Sequence, residues 1–184
     1  MQSLQFEFVA GSLCLCFADT LGGRGGQPVE RIATPARLSA WLRAADLAVL
    51  GVVPDVGDLA EAHRLRRAVA QSVGAIVQGG AADAGQIRGI NESAAAPPLR
   101  PQWTRGERRW IAERPVAAAL STIAADAIDV LGRPDRLREC SDCRMLFLDA
   151  TRGGRRRWCS SSSGCGNRAK VSRHRIRKAA ERPL

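Results

Sequence analysis

The stretch RRRWCSSSSGCGNRAKVSRHRIRK, residues 155–178, places two cysteines inside the most basic part of the chain. A Ser/Gly loop separates Cys159 from Cys165, and the residues that follow have the pattern of a basic helix. Further upstream, Cys140 and Cys143 form a C-x-x-C pair. Two close cysteine pairs that are about 15 residues apart have the spacing of a metal site. The pattern therefore predicts that four thiolates meet at one ion.

Four thiolates form the closed tetrahedral site that is typical of structural zinc. The segment around them has little apolar content, so a small module here needs a covalent or metal staple in order to fold. Disulfides are rare in the cytosol. We therefore predict one structural Zn²⁺ per chain, bound by Cys140, Cys143, Cys159 and Cys165. Two disulfides or free structural thiols are the alternatives.

The segments between the cysteine pairs are predicted to form a hairpin. MLFLDAT and RRRWC are strand-like, and TRGG between them has the composition of a turn. The turn that contains Cys140-x-x-Cys143 (the first knuckle), a hairpin, and a helix whose start supplies the last ligand together make a treble-clef-like zinc finger. We assign this finger to residues 133–184, because Gly132 and Pro134 close the helix that precedes it.

The net charge of +10 is confined to the finger. Residues 133–184 contain 15 Lys and Arg against 5 Asp and Glu, whereas residues 1–132 contain 13 of each class. A basic module on a neutral body typically meets nucleic acid or an anionic surface. No apolar run is long enough to span a membrane, and the N-terminus lacks the basic segment of a signal peptide. We expect a cytoplasmic protein with reduced thiols.

Residues 1–132 are predicted to form a mainly helical domain with a few short strands, which makes the whole chain an α+β protein. Apolar residues recur at helical spacing in several segments, and N-cap residues precede them. Four helices are predicted, and they start at Thr34-Pro35, near Asp58, at Asp83 and near Pro115. The inward face of the last helix is expected to contain Leu120, Ile123, Ala124, Ala127, Ile128 and Leu131.

Short strands are predicted at three places in the same domain. QFEFVAG, residues 5–11, alternates apolar and polar residues. The proline-rich stretch AAAPPLRPQW must be extended and leads into strands around Trp103 and Trp110. The apolar run LCLCFADTL fits either a buried strand or the first turns of a helix, because periodicity does not separate these in a short run.

Two features of the domain allow a structural or a chemical interpretation. Cys14 and Cys16 lie in an apolar segment, which favours core packing over chemistry. Arg66 falls at the edge of the apolar face of its helix, and a half-buried arginine needs an acidic partner or an anionic ligand. Asp19 is the predicted partner, and both residues are candidates for a small-molecule site. The domain is thus predicted to be a sensor or a dimerisation body.

The finger is predicted to bind nucleic acid through its arginines and its last helix. On a helical projection, the basic side chains cluster opposite a face of small residues, so that the small face packs on the finger and the basic face stays free. The alternative is a solvated basic face with no partner. The candidate contact residues are Arg155, Arg156, Arg157, Arg168, Lys170, Arg173, His174, Arg177 and Lys178.

Duplex DNA is favoured over single-stranded RNA because single-strand binders stack bases on aromatic side chains. The chain has no Tyr, and the finger contains only Phe147 and Trp158, both of which are expected in its core. The alternative is an RNA-binding zinc module that acts on tRNA or ribosomes. We see no nucleophile–base pair and no paired carboxylates in a recognisable frame, so we expect that the protein is not an enzyme.

The residues CGNRAKV at 165–171, with RRWC before them and FLD at 147–149, closely resemble the CGNR zinc-finger family. The N-terminal part is similar to the ABATE domain that usually precedes this finger, through LCLCFADTL, WLRAADL and RLRRAV. The resemblance implies a bacterial stress-linked transcription regulator with a DNA-binding finger. The chain departs from the family in a longer CSSSSGC loop, and in CFADT where relatives commonly have Asp-Phe-x-Asn-Thr.

Overall fold

The computed structural model describes residues 5–23, 28–49, 51–160, 164–167, 170–171 and 175. It has the predicted α+β architecture, with helices in the first part of the chain and a cysteine cluster in the last. The helices are α1 (Leu13–Ala18), α2 (Pro35–Ala44), α3 (Val56–Val77), α4 (Ala84–Ala94) and α5 (Pro115–Leu131). Three antiparallel strand pairs accompany them: β1 (Leu21–Gly22) with β2 (Val29–Glu30), β3 (Arg100–Thr104) with β4 (Glu107–Ile111), and β5 (Leu137–Glu139) with β6 (Leu146–Leu148).

The helix starts follow the capping signals of the sequence. The Thr34 hydroxyl accepts a hydrogen bond from the Arg37 amide at 3.2 Å, and Pro35 is the first helical residue of α2. Helix α3 starts two residues before the predicted Asp58, because Asp55 and Asp58 cap each other's backbone amides in a capping box. The predicted helix at Asp83 and the predicted last helix are both confirmed.

The core is built around Trp41, which is fully buried and lies 4.9 Å from the ring centre of Phe17. The run LCLCFADTL, which the sequence left open between strand and helix, forms the helix α1. This helix packs against α3 and α5. The backbone amide of Cys14 donates to the Asp126 carboxylate of α5 at 2.7 Å. A long-range acceptor thus fixes the start of a helix that is too short to be stable alone.

Cys14 and Cys16 belong to this core, as predicted. Burial raises the pKa of the Cys16 thiol to about 11. Burial also raises the pKa of the Cys14 thiol, and the neighbouring Asp126 carboxylate adds to the effect. Both side chains therefore stay neutral and pack as small apolar groups.

Two predictions for this part of the chain are wrong. Residues 5–11 do not form a strand, since the segment has no ladder partner within the described chain and its Phe8 ring instead rests 5.7 Å from Trp41. Ile128 was expected to face inward, but it is 44% exposed. Helix α5 buries Ala124, Ala127 and Val130 against its neighbours and leaves Ile128 outside that face.

The finger packs directly on the helices. Strands β5 and β6 contact α1 and α3, and the Leu148 amide donates to the Ala10 carbonyl at 2.8 Å. Gly11 has a left-handed backbone (φ +83°), and a Cβ at this position would lie 2.7 Å from the Leu148 carbonyl oxygen. The division into domains 1–132 and 133–184 remains a prediction, and the buried side chains of the two parts form one continuous cluster.

Candidate metal centre

The structure brings together the four predicted cysteines. The sulfur atoms of Cys140, Cys143, Cys159 and Cys165 all lie within 4.8 Å of one another, and the four residues are buried. The Sγ–Sγ distance is 3.6 Å between Cys143 and Cys159 and 3.7 Å between Cys159 and Cys165. A tetrahedron with Zn–S bonds of about 2.3 Å has edges of about 3.8 Å. The donor set therefore fits one zinc ion.

Both Sγ–Sγ distances are too long for a disulfide. A disulfide holds its sulfur atoms about 2.05 Å apart, and the cysteines are free thiols. Burial raises the pKa of the Cys165 thiol to about 12, and the hydrogen bond with Cys159 is the main cause that raises the pKa of Cys143. Four buried thiolates need a compensating cation, and a bound metal displaces their protons. The finger thus holds one structural zinc.

Backbone hydrogen bonds shape the first knuckle and join it to the second. The Cys140 amide donates to the Met145 carbonyl at 2.8 Å, and the Arg144 amide donates back to the Cys140 carbonyl at 3.0 Å. Arg144 takes the left-handed conformation (φ 65°) that this turn requires. The Ser141 amide donates to the Arg157 carbonyl at 3.0 Å, which places the second pair of ligands beside the first.

The predicted hairpin between MLFLDAT and RRRWC is wrong. Strand β6 pairs instead with β5, in the register Leu137 to Leu148 and Glu139 to Leu146. The RRRWC segment does not pair with β6, and its Arg156 amide instead donates to the Asp149 carboxylate at 2.8 Å. A side chain therefore replaces the expected strand partner, and the two strands of the finger bracket the first knuckle.

Asp149 organises the loop that joins the two cysteine pairs, although sequence analysis singled it out only as part of the FLD motif. Its carboxylate also accepts hydrogen bonds from the Thr151 amide at 3.0 Å and from the Thr151 hydroxyl at 2.6 Å. Burial acts to raise the pKa of Asp149, but these hydrogen bonds outweigh it and lower the pKa. The fully buried carboxylate stays ionised and fixes the chain just before the second pair of ligands.

We expect Asp149→Asn to destabilise the finger by about 2 kcal/mol. The amide group of asparagine turns a donor toward backbone N–H groups, which leaves a buried donor unsatisfied. The measurement is competition with a chromophoric zinc chelator, in which the variant should release zinc at lower chelator concentration. Asp135→Asn, which changes a carboxylate of the finger that is 75% exposed, is the control. Equal zinc retention by wild type and Asp149→Asn would show that the carboxylate does not support the loop.

The three arginines before Cys159 are not equivalent. The Arg156 guanidinium donates to the carbonyls of Trp158, at 3.0 Å, and of Cys159, and lies 5.1 Å from the centre of the Phe147 ring. It therefore supports the backbone beside a zinc ligand. Arg155 and Arg157 are exposed. Nothing in the sequence distinguishes the middle arginine, since its role depends on carbonyls that the knuckle turns toward it.

The chain is helical where it is described beyond Cys165, and Lys170 and Arg175 are exposed there. Cys165, the last zinc ligand, is already helical, and the Gly166 amide donates to the Ser160 carbonyl at 3.3 Å. The predicted contacts Arg168, Arg173, His174, Arg177 and Lys178 lie outside the described residues.

Arg66 is buried, but its partner differs from the prediction. Its guanidinium forms a two-pronged salt bridge with Glu30, with N–O distances of 2.6 and 2.5 Å, and not with Asp19. Glu30 lies on β2 and cannot be found from helical spacing. Burial acts to raise the pKa of Glu30, but the Arg66 hydrogen bonds outweigh it and lower the pKa. Asp19 instead lines, with Arg31 and Cys143, a space of about 20 Å³ between body and finger.

A helical body that carries a buried four-thiolate site is the architecture of a zinc-finger protein. Residues 11–134 match the family model ABATE, described as "putative stress-induced transcription regulator", and residues 136–178 match the CGNR zinc finger. The chain belongs to the ABATE family, since the first match spans more than half of it. A comparison with curated proteins finds no significant match. Within the described ranges, no helix has the length and apolar character needed to cross a bilayer.

Proposed function

We propose that the chain is a cytoplasmic transcription regulator that binds duplex DNA through its zinc finger. The observation that carries the proposal is the exposure of Arg155 and Arg157 directly before the zinc ligand Cys159, in a finger that holds the whole net charge of +10. Zinc fixes the backbone under these side chains, and exposed Lys170 and Arg175 continue the basic surface into the following helix. Clustered guanidinium and ammonium groups bind phosphates with a gain from released counterions. The family description supports a regulatory role.

Duplex DNA suits this surface better than single-stranded RNA. Phe147 is fully buried, and the Trp158 ring is half-buried with the Arg157 guanidinium 5.8 Å from its centre. Neither aromatic ring of the finger offers an open face on which bases could stack. A basic helix fits the major groove or follows the phosphate backbone. A structured RNA such as tRNA presents similar phosphates and is the second candidate.

We propose that the helical body is a sensor or a dimer scaffold and not a catalyst. The Arg66 guanidinium is occupied by Glu30 and the Thr20 hydroxyl, and the His63 ring contacts the Ile32 carbonyl at 3.0 Å. These groups therefore serve packing. The space beside Asp19 holds about one water molecule. A cleft of about 330 Å³ between α3, α4 and α5 has the size for a small ligand.

Replacing Arg155 and Arg157 together with alanine is expected to weaken DNA binding and its salt dependence. Wild type should show a log–log slope of affinity against salt of roughly −4 to −5, and the variant a slope smaller in magnitude by up to about 2. The measurement is fluorescence anisotropy with a mixed-sequence duplex at several salt concentrations, with zinc content checked. Arg173→Ala with Arg177→Ala should act in the same direction.

The control replaces Arg67 and Arg88, exposed arginines of α3 and α4, with alanine, which removes the same charge from the body. Its slope should equal that of wild type. Much tighter binding of wild type to tRNA than to any duplex, at equal salt, would replace the DNA proposal by the RNA candidate. An unchanged slope in the Arg155/Arg157 variant would remove these residues from the interface.

A further inference from the structure

The hairpin of β3 and β4 stands out from the helical body. Its two strands pair from Arg100–Ile111 to Thr104–Glu107, and Arg105 and Gly106 form the turn with left-handed backbones. The hairpin is tied to the rest of the body near the loop after α2, where the Arg108 guanidinium and the Trp110 indole N–H both reach Asp46. Most of β3 is exposed. The anchored base and the exposed strand define an arm with an open surface.

The arm carries a local positive charge in a neutral body. It contains four arginines and one glutamate, whereas residues 1–132 as a whole contain equal numbers of basic and acidic side chains. Arg108 forms a salt bridge with Asp46, and the Arg109 guanidinium lies 3.3 Å from the Glu107 carboxylate. Arg100 and Arg105 are exposed, and no salt bridge described for residues 28–49 and 51–160 involves them. Two exposed guanidinium groups are thus accessible to an anionic partner.

The exposed Trp103 is the second feature of the arm. It is 75% exposed, and it lies directly opposite Arg108, whose guanidinium covers the Trp110 ring at 4.5 Å from its centre. A large aromatic side chain left in water usually marks an interaction surface. A flat apolar ring near arginines is suited to the apolar face of a deoxyribose next to a phosphate.

We propose that the β3–β4 arm is a second contact with the duplex, in which Arg100 and Arg105 bind backbone phosphates and Trp103, on the face of the ribbon opposite Arg100, packs on a deoxyribose. A two-stranded ribbon is narrow enough to enter the major groove of a duplex. A second copy of the chain is a less suitable occupant, because pairing two arms would bring arginines of like charge together. The inference rests on the proposed function of the finger.

The test compares the zinc-loaded full-length chain with the double variant Arg100→Ala/Arg105→Asn on the same duplex. Asparagine tolerates the left-handed backbone at the turn (φ 51°), so the hairpin is kept. Each lost phosphate contact lowers the salt slope by about 0.9. The two contacts together should make the affinity loss between roughly 50 and 200 mM salt about 12-fold smaller than in wild type. Trp103→Ala should weaken binding several-fold with little change of slope.

The double variant Arg67→Ala/Arg88→Ala removes equal charge and should bind as wild type does. If wild type binds the duplex but the arm variants match it in affinity and slope, the arm is not a contact, and the finger proposal stands. If the salt slope of the control decreases as much as that of the arm variant, the decrease is caused by the lower net charge, and the arm is not a specific contact. Dimerisation of wild type that Trp103→Ala abolishes, with DNA affinity unchanged, would assign the arm to a second copy instead. Absence of any salt-dependent binding by wild type defeats both proposals.

Discussion

Replacing Cys143 with serine is expected to remove the zinc and unfold the finger. The variant keeps three thiolates around a position that requires four, and structural zinc contributes roughly 10 kcal/mol or more to the folding of small modules. Metal analysis of freshly prepared reduced protein should fall from one zinc per chain to nearly none. Circular dichroism should keep most of its helical signal, because Trp41, Leu65, Val69 and Ile123 form the core of the body without the finger.

The matched control is Cys16→Ala, which alters a buried cysteine outside the cluster and should keep one zinc per chain. The body of Cys143→Ser should melt at lower temperature than in wild type, because α1 and α3 lose the cover of β5 and β6. One zinc per chain in the serine variant would contradict the four-thiolate site. Complete loss of helical signal would show that body and finger fold only together.

Replacing Glu30 with alanine is expected to cost about 3 to 5 kcal/mol of unfolding free energy. The change leaves the Arg66 guanidinium, whose side chain is 6% exposed, without its carboxylate. Glu61→Ala removes the same residue type from an exposed pair with Arg64 and should cost less than about 0.5 kcal/mol. Urea unfolding of the zinc-loaded proteins measures both. Similar losses in the two variants would mean that burial does not govern the Glu30 pair.

A double variant tests the explanation further. Glu30→Ala with Arg66→Met removes both charges and should recover most of the stability that Glu30→Ala loses, since an apolar side chain at the buried position needs no partner. The pH dependence follows from the same pair. The pKa of Glu30 is lowered in the folded protein, so its stabilising effect is complete above its unfolded pKa of about 4.3 and declines as the pH falls through the lower folded value. The stability difference between wild type and Glu30→Ala should therefore shrink at acid pH.

Local signals in the sequence predicted the zinc ligands and most helices. The two cysteine pairs predict metal binding by their spacing alone, because close pairs of thiols in a reduced protein usually bind a metal ion. Thr34-Pro35 and Asp83 mark helix starts because a cap is made within three residues of the chain. These features do not depend on distant parts of the chain, and the structure confirms them.

Long-range pairing accounts for what the sequence failed to show. Arg66 needs a carboxylate, but its choice of Glu30 over Asp19 is decided by the β2 strand across the core. Strand β6 has the composition to pair with RRRWC, but Asp149 occupies the Arg156 amide and leaves β5 as the partner. The kind of partner that each group needs can thus be predicted from its chemistry, but the residue that supplies it cannot.

Four thiolates for one zinc, a neutral helical body and a basic finger are all predictable from the residues, because spacing, capping and charge are properties of the chain. Folding is what places Leu148 of the finger against Gly11, just before α1, and what makes Arg156 support a zinc ligand while Arg155 and Arg157 face solvent. These outcomes depend on which backbone carbonyls and side chains meet after folding. Adjacent arginines of identical chemistry acquire different roles because the backbone turns them in different directions.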